Sequence, residues 1–263
     1  MRVFSELPPR VHTFAVPGNS EHPAMVLLHG LGSAGVPAFG ALAGDPAFEG
    51  RERVLPDLVG FGLSDRPNDF GYSLDDHAAI IATVLEQRGL ASVDLVGHSL
   101  GGSIAIVLAY RRPDLVSRLI VLEPNLLPWD GTASVEIARQ SEAEFVETGY
   151  AELIADADPD WASTLCIADP IALHRTAVGL CEGPDPTAEA MLKSLTLPRL
   201  FVYGDRTGAP SQEPRLASAG VLFACIDDAG HVMMADNPAG TVEVLRSGLL
   251  LQSGPDGVVQ SPQ

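Results

Sequence analysis

Residues 93–102 read Val-Asp-Leu-Val-Gly-His-Ser-Leu-Gly-Gly, and a helix-like run, IAIVLAY, follows at 104–110. Residues 93–96 are apolar apart from Asp94, as in a buried strand. Gly97 and Gly101 suit a tight turn with no room for a Cβ beside the serine between them. The Gly-x-Ser-x-Gly pentapeptide alone is a weak pattern. With a strand before it and a helix after it, the pattern predicts that Ser99 is a nucleophile on a strand-to-helix turn.

Five further runs have the character of the strand before Ser99. They are short, rich in Leu and β-branched residues, and apolar on both faces, which is typical of buried parallel strands. They occupy 24–29, 53–58, 118–123, 199–204 and 221–226. Helical patterns lie between them at 74–88, 100–110 and 240–251, the first opened by a capping-box pair, Ser73 and Asp76. This alternation predicts an α/β fold with a mostly parallel sheet covered by helices on both faces.

The interval from 125 to 198 has no strand-like run. It contains helical patterns such as 134–147 and 168–180, separated by Pro, Asp and Gly. In open α/β sheets, ligands bind beyond the carboxyl ends of the strands, so we expect a helical cap there rather than an unrelated small domain. The predicted division is a core of 1–123 and 199–252, a cap of 124–198, and a disordered tail of 253–263.

Composition restricts the class of partner. The 263 residues carry 34 acidic and 16 basic side chains, a net charge of −18, which disfavours nucleic acid and anionic membrane surfaces as partners. Cys166, Cys181 and Cys225 form no CxxC pair, and we expect reduced, mostly buried thiols. The start of the chain shows no apolar signal segment, and no 18-residue apolar stretch occurs, so a cytoplasmic location is expected. The sequence does not decide between a monomer and a homodimer.

A serine hydroxyl needs a base to take its proton, and one of the seven histidines stands where that base is expected. His231 lies in Asp-Ala-Gly-His at 228–231, between the last predicted strand and the last helix. The order serine, acid, histidine along the chain agrees with this choice. The other six are assigned to the lead-in (His12, His22), a surface helix (His77), the cap (His174), and structural or pocket-lining positions beside the turns (His29, His98).

A tetrahedral intermediate also needs two backbone N–H donors. Leu100, which follows the serine, is the first candidate. The second is Leu31, in the turn His-Gly-Leu-Gly at 29–32 after the first predicted strand. A glycine-rich turn can instead hold phosphate, but the chain contains neither GxGxxG nor GxxxxGK[ST].

Together these motifs resemble the α/β-hydrolase superfamily over about residues 10–252. HGLGSAG at 29–35 looks like its oxyanion loop, PDLVGFGLSD at 56–65 like its next glycine-rich turn, and DAGH at 228–231 like its histidine loop. The resemblance implies an α/β-hydrolase fold. That fold has a mostly parallel eight-stranded sheet flanked by helices, a helical cap inserted before the last two strands, and no cofactor.

The chain departs from that family at the acid. Most members carry Asp three residues beyond the Gly that ends the strand after the cap; here the Gly is Gly204 and the third position is Thr207. Asp205 lies close to that position but directly follows Gly204, so its carboxylate should point in a different direction. Glu123 ends the strand before the cap, in a segment similar to that of haloalkane dehalogenases and some lactonases, which place their acid there. Neighbouring strand ends lie roughly 5 Å apart. Glu123 is therefore favoured and Asp205 is kept as the alternative.

The sequence thus predicts a serine hydrolase, with a carboxylic ester or lactone as the favoured small-molecule substrate. In this superfamily, haloalkane dehalogenases and epoxide hydrolases use Asp where this chain has Ser99. Hydrolysis of a C–C bond in a diketone by the same three residues is the alternative. A non-enzymatic ligand-binding relative is disfavoured, because neither the serine turn nor the oxyanion loop is degraded.

The sequence does not identify the substrate; it offers only a set of large apolar side chains that could line a pocket. Such side chains are more typical of a core than of a pocket wall. With His29 and His98, the candidates for a pocket are Trp129, Phe145, Tyr150, Trp161, Met233 and Met234.

Overall fold

The computed structural model describes residues 8–19, 21–253 and 259–260. Its main sheet has seven strands in the order β1-β3-β2-β4-β5-β6-β7, with β1 antiparallel to β3 and all other pairs parallel. The strands are Thr13–Val16 (β1), Met25–Leu28 (β2), Arg53–Pro56 (β3), Val93–His98 (β4), Val116–Leu122 (β5), Arg199–Gly204 (β6) and Leu222–Ile226 (β7). The predicted α/β fold and its mostly parallel sheet are confirmed.

All six predicted runs are strands, and β1 is an addition. Its four residues lie at the edge of the sheet and none of them is fully buried, so they lack the apolar signal of the inner strands. The sheet therefore has seven strands where the resemblance implied eight. The tail predicted at 253–263 lies mostly outside the described residues; a short antiparallel ladder joins Gln252–Ser253 (β8) to Val259–Gln260 (β9).

Helices lie on both faces of the sheet. Alternate residues of β2 enter opposite cores: Met25 and Leu27 pack with the first helix, whereas Val26 and Leu28 pack with the helices after β3 and β4. The helices are Gly35–Ala43 (α1), Leu74–Gln87 (α2), Leu100–Arg111 (α3), Ala133–Ala138 (α4), Glu142–Glu144 (α5), Tyr150–Asp156 (α6), Pro159–Leu165 (α7), Pro170–Glu182 (α8), Ala188–Ser194 (α9), Glu213–Ala217 (α10), Met233–Asp236 (α11) and Pro238–Gly248 (α12).

Six of these helices, α4 to α9, lie between β5 and β6, in the segment predicted as the cap. The single helix expected at 134–147 is broken at Ser141, because that residue begins a new turn in a reciprocal capping box with Glu144. A π-helical turn, Phe145–Gly149, then leads into α6. Helix α8 begins where its sequence indicates, with Asp169 as the N-cap and Pro170 in the first turn.

Two expectations about burial are wrong. His77 was assigned to a surface helix, yet its side chain is 1% exposed, because α8 covers that side of α2. The cysteines were expected to be mostly buried, but Cys166 and Cys225 are exposed and only Cys181 is buried. Within the described ranges, no helix is long and apolar enough to cross a membrane.

Candidate active site

Ser99 lies on a tight turn between β4 and α3. Its backbone has φ 52° and ψ −120°, a conformation that residues with a Cβ rarely adopt. The flanking glycines permit the turn: a Cβ on Gly97 would lie 2.3 Å from the Gly101 oxygen, and one on Gly101 would lie 2.2 Å from the Leu28 oxygen. The turn therefore presents Ser99 at the carboxyl edge of the sheet, as the Gly-x-Ser-x-Gly pattern predicts.

His231 lies in the loop after β7 and contacts the carboxylate of Glu123. His231 Nδ1 is 2.8 Å from Glu123 Oε2. The His231 side chain is 51% exposed, whereas that of Glu123 is 8% exposed. Because a carboxylate only accepts hydrogen bonds, the proton of the imidazole lies on Nδ1 and Nε2 is left as a base.

Glu123 is held at the end of β5 by two segments, the end of β6 with its following loop and the loop of His231. Its backbone has φ 45°, and its Oε1 accepts a 2.9 Å hydrogen bond from the N–H of Gly204. Burial raises the pKa of this carboxyl. Four interactions lower it: the hydrogen bond from His231, the N–H of Gly204, the charge of His231 and the Thr207 hydroxyl. Together they outweigh burial, so the pKa of Glu123 lies below its ordinary value. Thr207 thus donates to Glu123 from the position where most family members carry their acid.

Asp205, the alternative acid, points elsewhere. Its Oδ1 accepts a 3.0 Å hydrogen bond from the N–H of Ala229. Hydrogen bonds from the N–H groups of Ala229, Asp228 and Arg206 lower its pKa. The geometry brings Glu123, and not Asp205, to His231. Asp205 instead fixes the backbone of the loop before His231.

The turn predicted to supply the second N–H donor lies beside Ser99. A Cβ built on Gly30 would be 3.5 Å from Ser99 Cβ. The turn is closed by the N–H of Ser33, which donates to the Gly30 oxygen at 3.2 Å. In the described chain the Leu31 N–H has no protein acceptor. Leu100 opens helix α3, so its N–H has no acceptor within that helix either.

The three predicted residues are not all joined by hydrogen bonds. His231 is linked to Glu123, but no hydrogen bond joins Ser99 Oγ to His231 in the part of the chain that the structure describes. The neighbour of Ser99, His98, has its ring centroid 4.8 Å from that of His231. The serine turn and the histidine loop therefore pack together through His98.

His98 has a role that the sequence did not reveal. Its Nε2 donates to the backbone oxygen of His231 at 2.7 Å, which ties the histidine loop to the serine turn. Burial lowers the pKa of His98 to about 3, helped by the charge of His231, so this imidazole is neutral. The only sequence signal was its place before Ser99.

His29 is a structural residue of the turn at 29–32. The N–H of Leu58 donates to its Nε2 at 2.9 Å, so Nδ1 carries the proton and donates to the Gly30 oxygen at 2.8 Å. The side chain is fully buried, and burial lowers its pKa. The loops after β2 and β3 are thus joined through a neutral imidazole, and His29 offers no surface to a substrate.

The predicted pocket residues divide into three groups. Met233 is fully buried in the core beneath α12, with Met234 packed against it, and Phe145 is fully buried among the cap helices. Trp129, between β5 and α4, is 54% exposed. Trp161 contacts a core loop, because its Nε1 donates to the Leu31 oxygen, whereas the Tyr150 hydroxyl donates to the Ala168 oxygen within the 124–198 segment. The prediction of a pocket role is therefore wrong for Met233, because the sheet and α12 enclose it.

The described residues also form a concave region at β7, the edge strand of the sheet. It is a groove of about 840 Å³ between β7 and α12, lined by side chains such as Phe223, Val244 and Leu250. None of Ser99, Glu123 and His231 lines it. In the described ranges, no three His, Cys, Asp or Glu side chains are grouped so that they could hold a metal ion.

Known proteins resemble this chain in fold. A family model for the alpha/beta hydrolase fold matches residues 23–165, more than half of the chain. The chain is 35% identical over 113 residues, 43% of its length, to 2-hydroxymuconate semialdehyde hydrolase of Pseudomonas putida. The match spans 40% of that relative.

Two solved structures resemble the whole fold. An esterase from Exiguobacterium antarcticum has a TM-score of 0.74 at 21% identity, over 92% of this chain and 96% of the esterase. The N-acyl homoserine lactonase AidH has a TM-score of 0.70 at 21% identity, over 90% of this chain and 91% of the lactonase. At that identity these two likenesses concern the fold alone. With the family match and the strand order, the serine turn shows that this chain belongs to the α/β-hydrolase family.

Proposed function

We propose that this hydrolase is a serine hydrolase that cleaves a small-molecule carboxylic ester or lactone through an acyl-enzyme on Ser99. The observation that carries the proposal is the contact of 2.8 Å between His231 Nδ1 and Glu123 Oε2, at the loop that packs against the Ser99 turn. A carboxylate in that position selects the tautomer whose Nε2 is a base.

The reaction follows from these positions. Ser99 Oγ attacks the substrate carbonyl carbon while its proton passes to His231 Nε2, and the Ser99–His231 hydrogen bond forms when substrate is bound. The Leu31 and Leu100 N–H groups stabilise the negative charge on the carbonyl oxygen. The intermediate then expels the alkoxide, which takes the proton from His231. Water attacks the acyl-enzyme with His231 again as base, and Ser99 recovers its proton.

A C–C hydrolase is the second candidate, because the Pseudomonas putida relative is named for such a reaction. Its substrate, 2-hydroxymuconate semialdehyde, is a carboxylate. Here the net charge is −18, and Arg206, beside the histidine loop, is already engaged with Asp236 at 3.0 Å and with the Asp228 oxygen at 2.9 Å. An anionic substrate therefore finds an unfavourable field, and neutral esters or lactones are preferred.

Replacement of the proposed nucleophile tests this function. Ser99→Ala should keep the melting temperature and lose turnover by at least about 10³-fold, because binding and the oxyanion donors alone retain little catalysis. The matched control is Ser103→Ala, in the same helix, whose hydroxyl bonds to the Asn125 oxygen at 2.9 Å. The substrates to compare are p-nitrophenyl esters of increasing acyl length, acyl homoserine lactones and a dienoate diketone.

Labelling identifies the nucleophile independently of substrate choice. An alkyl fluorophosphonate should modify Ser99 alone, as read by peptide mass spectrometry. An active Ser99→Ala variant, or label on another serine, contradicts the proposal. Faster turnover of the diketone than of any ester or lactone would select the second candidate.

A further inference from the structure

The indole of Trp161, in cap helix α7, lies on the turn that carries the second proposed oxyanion donor. Trp161 Nε1 donates to the Leu31 oxygen at 3.0 Å. Gly32 makes this approach possible, since a Cβ there would lie 2.8 Å from Trp161 Nε1 and 2.6 Å from Leu165 Cδ2. The cap therefore contacts the turn at its backbone.

Trp161 binds the carbonyl oxygen of the central peptide of this turn, whose orientation sets the turn type. Residues 30–33 form a β-turn closed by the Ser33 N–H, and Gly32 in its third position has φ 68°, as in a type II turn. Type I and type II turns differ in the orientation of their central peptide, which here joins Leu31 to Gly32. Rotation of that peptide would carry the Leu31 oxygen away from Trp161 and alter the backbone at Leu31.

The Leu31 N–H belongs to the preceding peptide, so its position depends on the geometry of the turn as a whole. It has no acceptor within the described chain, and the Gly30 position adjoins Ser99 Cβ. The peptide that carries this N–H is held at the Gly30 oxygen by the Ser33 N–H and by His29 Nδ1, and the next peptide is held at the Leu31 oxygen by Trp161. A donor misplaced by about 1 Å can cost about 10²-fold in rate.

We propose that Trp161 is a positioning residue that holds the 30–33 turn in the conformation in which the Leu31 N–H meets the oxyanion. The cap thereby takes part in catalysis without touching the reacting atoms. The inference rests on the proposed serine hydrolase function and adds a role for the cap to it.

The cap has other anchors beside this one, so the contact can be removed without undocking the cap. The Asp169 N–H donates to the Gly60 oxygen at 3.0 Å, and Arg66 Nη2 donates to the Ile167 oxygen at 2.7 Å. Both anchors join the connection between α7 and α8 to the loop after β3. Trp161→Phe should therefore keep an aromatic ring at this position while removing the N–H donor together with part of the indole.

The first experiment compares Trp161→Phe with Trp129→Phe, which replaces the other tryptophan, 54% exposed on the cap. For Trp161→Phe we expect kcat to fall about 10- to 100-fold with KM within about threefold, since a group that acts only in the transition state is affected. The melting temperature and the shape of the pH profile should not change. Phosphonylation of Ser99 by a fluorophosphonate should slow in parallel, and Trp129→Phe should behave as wild type.

A second variant tests the same contact from the core side. Gly32→Ala places a Cβ against Trp161 and Leu165 and strains the turn at its positive φ. If both changes disturb one contact, the double variant Trp161→Phe/Gly32→Ala should lose much less than the product of the two single losses.

The outcomes separate this inference from the function on which it rests. A wild-type protein that neither turns over the panel nor labels at Ser99 would overturn the serine hydrolase proposal. If wild type is active and labels, but Trp161→Phe raises KM with kcat unchanged, Trp161 is a pocket wall and the positioning role is wrong. Fully multiplicative losses in the double variant would also contradict it.

Discussion

Glu123 lies where three segments distant in sequence meet. Its carboxylate accepts hydrogen bonds from His231 Nδ1 at 2.8 Å, from the Gly204 N–H at 2.9 Å and from the Thr207 hydroxyl. Its positive φ, like that of Ser99, is a strained conformation that costs on the order of 1–3 kcal/mol and persists only where neighbours enforce it. Strain at both positions agrees with a functional role for the carboxyl edge of β4 and β5.

Glu123→Gln tests the role of this carboxylate. The amide keeps the shape, removes the charge and can favour the wrong tautomer of His231, so we expect kcat to fall by about 10³- to 10⁴-fold with little change in melting temperature. The control is Asp205→Asn, which should cost about tenfold or less, because Asp205 bonds only to backbone near the site. Steady-state kinetics of both variants on one ester decide the matter. If Asp205→Asn loses its activity while Glu123→Gln stays active, Asp205 and not Glu123 is the acid that acts with His231.

At the scale of elements, the serine turn depends on how closely α3 approaches β2. Gly101 lies in the first turn of α3, and a Cβ on it would be 2.2 Å from the Leu28 oxygen, a backbone atom that cannot yield without moving the strand. Small residues at this crossing therefore set the position of the helix, and with it the position of Ser99.

Gly101→Ala should destabilise the fold by about 3 kcal/mol or more, because the new methyl group meets backbone in a closely packed core. The matched control is Gly44→Ala at the end of α1, where φ is −83° and the nearest atom to a Cβ is 3.5 Å away. That change should alter stability by less than about 1 kcal/mol. Urea unfolding of the two variants measures the difference; equal stabilities would mean that α3 can shift without cost.

At the scale of the whole molecule, buried histidines make stability depend on pH. Burial lowers the pKa of His77 to about 3, despite the opposing effect of Asp76, and burial likewise lowers that of His98 to about 3. An unfolded histidine binds a proton below pH ~6.5, while the folded forms do so only near 3. Unfolding therefore takes up protons between these values, so stability is full above pH ~6.5 and falls as the pH is lowered towards 3.

His77→Phe isolates one of these groups. His77 lies among aromatic rings, 5.4 Å from Phe70 and 5.9 Å from Tyr72 between ring centroids, so a phenyl ring suits its site. Between about pH 6 and pH 4, the free energy of unfolding of the variant should fall less steeply, by up to about 1.4 kcal/mol per pH unit for one proton. The control is His22→Gln, which removes an exposed histidine and so shows what the loss of any imidazole does to the free energy of unfolding. Parallel slopes for His77→Phe and wild type would show that His77 is not the group that titrates.

The sequence by itself determined the parts whose signals are local. Period, turn chemistry and caps lie within a few neighbouring residues, so the inner strands, the capping box of α2 and the Gly-x-Ser-x-Gly turn were all predictable. Glu123 was predicted from the resemblance of its segment to that of haloalkane dehalogenases and some lactonases, supported by the adjacency of parallel strand ends, and the structure places it 2.8 Å from His231. Edge strand β1 was missed because its half-exposed residues lack an apolar signal.

Only the tertiary structure decided what depends on packing between distant segments. Burial of His77 arises from α8, nearly a hundred residues further along the chain. The bond from His98 to the His231 oxygen joins two loops, and that from Trp161 to the Leu31 oxygen joins cap to core. Met233 looked like a pocket residue until the sheet and α12 enclosed it. Such contacts leave no pattern in the sequence, because they depend on the orientation of whole elements rather than on local spacing.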